Sequence, residues 1–107
     1  MRYYILRADG TPVPCDSLIA WALWLESSGQ ERRVAHDQVA DGIEVSTVFL
    51  GLDHNLLDSG PPILYETMVF GGPHDQLMKR YHTRAEAAAG HRRIVAELRG
   101  VLASAGN

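Results

Sequence analysis

Two runs of alternating residues set the tightest limit on how this chain can fold. In the first, Ile43, Val45, Thr47 and Phe49 alternate with Glu44, Ser46, Val48 and Leu50. In the second, Ile63, Tyr65, Thr67 and Val69 alternate with Leu64, Glu66, Met68 and Phe70. A period of two in segments rich in β-branched and aromatic side chains is the signature of a pleated strand. Gly60-Pro61-Pro62 fixes where the second strand can begin, and Gly71-Gly72-Pro73 ends it. Both runs are apolar on both faces, which predicts central strands rather than edges. Glu66 is the anomaly, a carboxylate in an otherwise apolar strand.

The remaining elements arrange themselves around this pair. Arg2 to Arg7 reads as a strand, followed by a turn at Asp9-Gly10-Thr11-Pro12. Asp16 or Ser17 caps a helix that runs to about Ser28, with Gly29 as its stop. Leu18, Trp21, Ala22 and Leu25 form its core stripe, yet Ala20, Leu23 and Trp24 lie off that stripe. A helix this apolar all round needs a second cover, from another element or another chain. Arg32 to Val39 reads as an edge strand, and Asp41-Gly42 marks a hairpin into the central pair. Leu77 to His82 is a further short strand. Thr83-Arg84-Ala85-Glu86 fits a capping box, opening a last helix with Ala88, His91, Ile94, Val95, Leu98 and Leu102 at helical spacing.

The predicted order is therefore β-α-β-β-β-β-α. Short connections between strands imply a small, mostly antiparallel sheet of four to five strands with two helices packed against it, an α+β class. The 107 residues make one domain, residues 1–107, long enough to bury a core without disulfide or metal staples. No GxGxxG or P-loop pattern supports a parallel nucleotide-binding fold.

Charge and cysteine usage narrow the function classes. A formal charge of −3 argues against a dedicated nucleic-acid binder. The basic residues that gather late in the chain, Lys79, Arg80, Arg84, Arg92, Arg93 and Arg99, read first as a solvated face and second as a phosphate- or partner-binding surface. Cys15 is the single cysteine, which fits a reducing cytoplasm and reads as incidental rather than reactive. No signal peptide, membrane span or lipidation motif stands out, so no membrane partner is expected. No cofactor is expected either.

Five histidines (His36, His54, His74, His82 and His91) invite a metal reading, but none falls in an HxxxH or HExxH spacing, and no metal site is expected. Asp53-His54 could act as an acid–base pair; the preferred reading is a turn in which Asp53 and Asn55 bond the backbone. His91 follows Gly90 on the apolar stripe of the last helix. A glycine inside a helix costs about 1 kcal/mol relative to alanine, which predicts close approach of another backbone there. His91 is then buried and needs a hydrogen-bond partner, for which Glu66 is the candidate. Such a pair would pin helix to sheet or, in a second reading, recognise a ligand. Tyr65, Tyr81, Phe49 and Phe70 could stack on a ring, although strand aromatics are usually core.

Several of these segments resemble a family of small, mostly uncharacterised proteins of tailed phages and prophages. The segments are Val45 to His54 (VSTVFLGLDH), Pro62 to Gly72 (PILYETMVFGG), Arg80-Tyr81-His82-Thr83 leading to Glu86, and Ala89-Gly90-His91. The opening Tyr3-Tyr4-Ile5-Leu6, Asp9-Gly10 and the tryptophan-bearing helix match as well, so the likeness covers nearly the whole chain. Family members often carry serine where His82 stands, an aromatic where Arg84 stands, and a more glycine-rich loop after the Asp-His pair. The resemblance supplies no catalytic residues. It implies expression in the cytoplasm of a bacterial host and an accessory role, commonly antagonism of host defence.

Three functions follow as expectations. The first is a non-enzymatic phage accessory protein that binds and inhibits a host defence protein, with Trp24 at the interface and a possible homo-oligomer. The second is a sponge for a nucleotide immune signal, using Arg80, Arg84 or Arg92 for phosphates and Tyr65 or Tyr81 for a base. The third is a small hydrolase built on Asp53, His54, Glu66 and His91.

Overall fold

The computed structural model describes residues 2–57 and 59–105. The two alternating runs are strands, and they are central. β3 (Arg33–Ala40), β4 (Ile43–Phe49), β5 (Tyr65–Phe70) and β6 (Met78–Tyr81) form one antiparallel sheet in the order β3-β4-β5-β6. Gly42, with φ of 73°, closes the tight β3–β4 hairpin predicted at Asp41-Gly42. The β3–β4 ladder breaks register twice, between Arg33 and Ala35 and between Gln38 and Ala40.

α3 (Arg84–Ala105) opens at the expected capping box: the Glu86 N–H donates to Thr83 Oγ1, and the Thr83 hydroxyl donates back to the Glu86 carboxylate. Ala87, Gly90, His91, Ile94, Val95 and Leu98 form its buried stripe and lie across one face of the sheet. Ala87, rather than the expected Ala88, begins that stripe. Val45, Val69, Ile94, Val95 and Leu98 make one core cluster. A second, aromatic cluster holds Tyr4, Leu6, Phe49, Leu64, Tyr65, Tyr81 and Ala87. In it the Phe49 and Tyr65 rings meet edge to face at 5.4 Å, and Trp24 meets Phe49 likewise at 5.9 Å.

The sequence reading missed one strand. β1 (Tyr3–Leu6) pairs antiparallel with β2 (Pro12–Cys15), where a turn and a helix approach were expected. Two prolines in four residues argue against a strand. Here they fit because of register. Pro12 and Pro14 face Leu6 and Tyr4, positions whose N–H groups point out of the two-stranded ribbon. The Tyr4 N–H does point away from β2, donating at 2.8 Å to the Gly51 carbonyl, while Arg7 bonds back across the ribbon to Thr11. The missing proline donors therefore break no ladder bond.

α1 (Leu18–Ser27) is capped by Ser17, whose hydroxyl accepts from the Ala20 N–H, and is followed by the four-residue α2 (Gly29–Arg32). Contrary to expectation, α1 does not lie flat on the main sheet as α3 does. It packs on the β1–β2 hairpin and reaches the sheet through Trp24 on Phe49 and through Gly51. The Trp21 indole donates from Nε1 to the same Gly51 carbonyl that holds Tyr4. Gly51 has a φ of 78°, and a Cβ there would press on Trp21 and Leu25, so glycine suits both the turn and the contact. Among the described residues no helix is long and apolar enough to cross a membrane.

The close approach expected at Gly90 exists, but the neighbour is a side chain. A Cβ on Gly90 would collide with the Tyr81 ring, whereas Gly100 in the same helix faces open space. Gly90→Ala should therefore lower stability by about 1–3 kcal/mol despite its better helix propensity. Gly100→Ala should raise it by about 0.5–1 kcal/mol. Thermal unfolding of the two variants checks the contrast; equal shifts would contradict the packing of α3 on Tyr81.

Candidate functional site

The polar group that links helix to sheet in the interior is His91, which is only 2 % exposed. Its Nε2 donates to Asp37 Oδ2 of β3 at 2.7 Å, since a carboxylate can only accept. In the neutral imidazole Nδ1 then accepts from Thr47 Oγ1 of β4, also at 2.7 Å, and Thr47 shares a 2.5 Å hydrogen bond with Thr67 of β5. Thr47 and Thr67 are fully buried, so this Asp–His–Thr–Thr chain exposes no nucleophile. It ties α3 to three strands, and only Asp37 at its end reaches solvent.

The expected Glu66–His91 pair is not formed. Tyr65, Thr67 and Val69 point to the α3 side of β5, so Glu66 points to the opposite face. There it accepts a 3.0 Å hydrogen bond from Nε of Arg80, its cross-strand neighbour on β6. The anomaly is thus a cross-strand ion pair on the face α3 leaves uncovered, and it occupies Arg80 as well. His91 does require a partner, as anticipated; that partner came from β3, where Asp37 shares the inward phase of Ala35 and Val39.

Asp53 and His54 do not form an acid–base unit. Asp53 Oδ1 accepts from the N–H groups of Asn55 and Ile63 at 2.8 and 2.9 Å, and Asn55 in turn bonds the Pro61 carbonyl and the Leu57 N–H. These bonds brace the loop between β4 and β5. The His54 backbone N–H donates to Ile63, and its side chain makes no hydrogen bond among the described residues.

Tyr65 and Tyr81 are 1 % and 6 % exposed and belong to the aromatic core, so neither offers a ring face to a ligand. Burial raises the Tyr65 hydroxyl above its usual pKa, an effect the nearby Arg84 guanidinium opposes. The nucleotide pocket expected from Tyr65 or Tyr81 with Arg80, Arg84 or Arg92 is therefore not assembled: the rings are buried, Arg80 is paired, and Arg92 lies on the solvent side of α3. Trp24 and Arg84 do share a surface. Both line a cleft of about 640 Å³ between the β1–β2 turn, the end of α1 and the start of α3.

A second surface feature lies on α1, where no residue of the helix is buried. Leu18, Ile19 and Leu23 are 55 %, 73 % and 62 % exposed, in a helix whose first eight residues, Leu18 to Leu25, are all apolar. Among the described residues no group of three or more His, Cys, Asp or Glu side chains comes together to hold a metal ion. Compared with known proteins, the chain matches no family model, no curated protein and no solved structure.

Removing the His91 imidazole takes one of its two partners from the buried Thr47 hydroxyl and opens a cavity, so His91→Ala should cost about 2–4 kcal/mol. In double-mutant cycles His91 should couple to Asp37 and be additive with Glu66 to within about 0.5 kcal/mol. Denaturant unfolding of the three single and two double variants measures this; coupling to Glu66 would reverse the assignment.

Proposed function

We propose that this is a non-enzymatic phage-type accessory protein that acts by binding, with a host defence protein as its target and α1 as the contact. The single observation that carries the reading is the uncovered apolar face of α1. Leu18, Ile19 and Leu23 sit at i, i+1 and i+5 on a helix whose other side is anchored by Trp21 and Trp24. Large exposed aliphatics side by side on a rigid element are what a helix-mediated protein interface presents. Their burial would contribute roughly 1.5–3 kcal/mol per side chain before the costs of association.

The setting in a bacterial host and the defence target come from the motif resemblance to tailed-phage proteins. The non-enzymatic part is supported by how the polar groups are used. Asp53 braces a loop, Glu66 holds Arg80, and His91 is sealed beneath α3 on the other face of the sheet from Glu66. A hydrolase would need at least two of them facing one substrate atom.

Ile19→Glu and Leu23→Glu should leave the melting temperature within a few degrees of the parent, because both side chains already face water. Each should abolish capture of a host protein by the tagged chain from bacterial lysate, read by mass spectrometry. The same variants should lose the ability to relieve phage restriction in a defence-bearing strain. Retained capture by both variants would remove α1 from the interface.

A further inference from the structure

The cleft beside Trp24 is a separate surface from the exposed stripe of α1 and does not rest on the partner reading. Its volume, about 640 Å³, falls in the range of small-molecule sites. Its chemistry is mixed in a particular way. The half-buried indole of Trp24 forms one wall, already held at 83° to the Phe49 ring. Arg7, from the end of β1, and Arg84, the first residue of α3, both line the cleft and are exposed. Neither forms an ion pair among the described residues, whereas Arg80 does. Arg84 also stands at the positive end of a 22-residue helix. Asp9 and Glu31 line the same cleft. Asp9 is held in place by the hydrogen bond from the Thr11 N–H, which, with the pull of Arg7, keeps its carboxyl below the ordinary value.

A bare anion would gain from the two arginines and lose to the two acids. A long apolar ligand would waste all four. A flat ring bearing phosphate at one end and hydroxyl or amino donors at the other uses every group: the ring on the indole, phosphate oxygens on the guanidinium groups, donors on the carboxylates. We propose that the Arg7–Trp24–Arg84 cleft is a binding site for a nucleotide, held by ring stacking and two arginines and not chemically altered.

The test uses the full chain with ADP as probe and adenosine and inorganic phosphate as separate arms. ADP should raise the melting temperature by about 4 °C or more at saturation, and should give a micromolar Kd by titration calorimetry. Adenosine and phosphate should each bind at least about tenfold more weakly, a difference worth 1.4 kcal/mol or more. Arg7→Ala and Arg84→Ala, both at exposed positions, should weaken ADP binding about tenfold or more while leaving the unliganded melting temperature unchanged. Trp24→Phe keeps an aromatic against Phe49 and should leave Trp21 fluorescence unquenched by ADP. No thermal shift with ADP, phosphate binding as tight as ADP, or unaltered binding by both arginine variants would each overturn the proposal.

Discussion

One imidazole joins the two layers of this fold. His91 on α3 bonds Asp37 on β3 directly and reaches β4 and β5 through Thr47 and Thr67. Apolar contacts alone, such as Ile94, Val95 and Leu98 on Val45 and Val69, would let the helix slide or rotate by a few degrees at small cost. A buried chain of directional bonds permits one alignment, because any shift leaves a donor or acceptor unpaired where water cannot reach it. The aromatic cluster at the other end of α3 depends on that alignment. Gly90 precedes His91, and only there can the Tyr81 ring pass under the helix.

The N-terminal third is attached by different means. The Gly51 carbonyl accepts from both Tyr4 and Trp21, and a bridge between Tyr3 and Leu52 continues the contact. The hairpin thus hangs on the loop after β4 and, through Tyr4 and Leu6, on the aromatic cluster at that end of the sheet, while α1 reaches the cluster only through Trp24. This explains why α1 keeps so much apolar surface in water: its inward side meets a narrow ridge made of the hairpin, Gly51 and Phe49, and none of the described residues covers its outward side.

Much of the fold was legible because the signals were local. Alternation placed β4 and β5, Asp41-Gly42 placed their hairpin neighbour, and Thr83 to Glu86 placed the start of α3. Asp53 and Asn55 brace their loop as turn residues should. What escaped was long-range. Pro12 and Pro14 hid β2, since whether a proline breaks a ladder depends on which way its absent N–H would point. Glu66 was assigned to His91 on rarity, as the odd acid in an apolar strand; period-two geometry puts it on the far face, where Arg80 answers it. Asp37 was less conspicuous in a polar strand, although its phase matched Ala35 and Val39. Tyr65 and Tyr81 read equally as core or as stacking platforms, and only packing decides that they are core. Arg7 had no local signal at all, because the cleft it shares with Trp24 and Arg84 gathers residues from three parts of the chain.

The two register breaks in β3 carry a consequence for assembly. β3 is one free margin of the sheet, and an irregular ladder twists its outer hydrogen-bonding groups out of line with any incoming strand. The opposite margin, β6, offers four residues with Lys79 and Arg80 among them. Both margins of this sheet are thereby poor templates for strand addition. Side chains on its flanks are better placed to meet a partner than the main chain along these two rims.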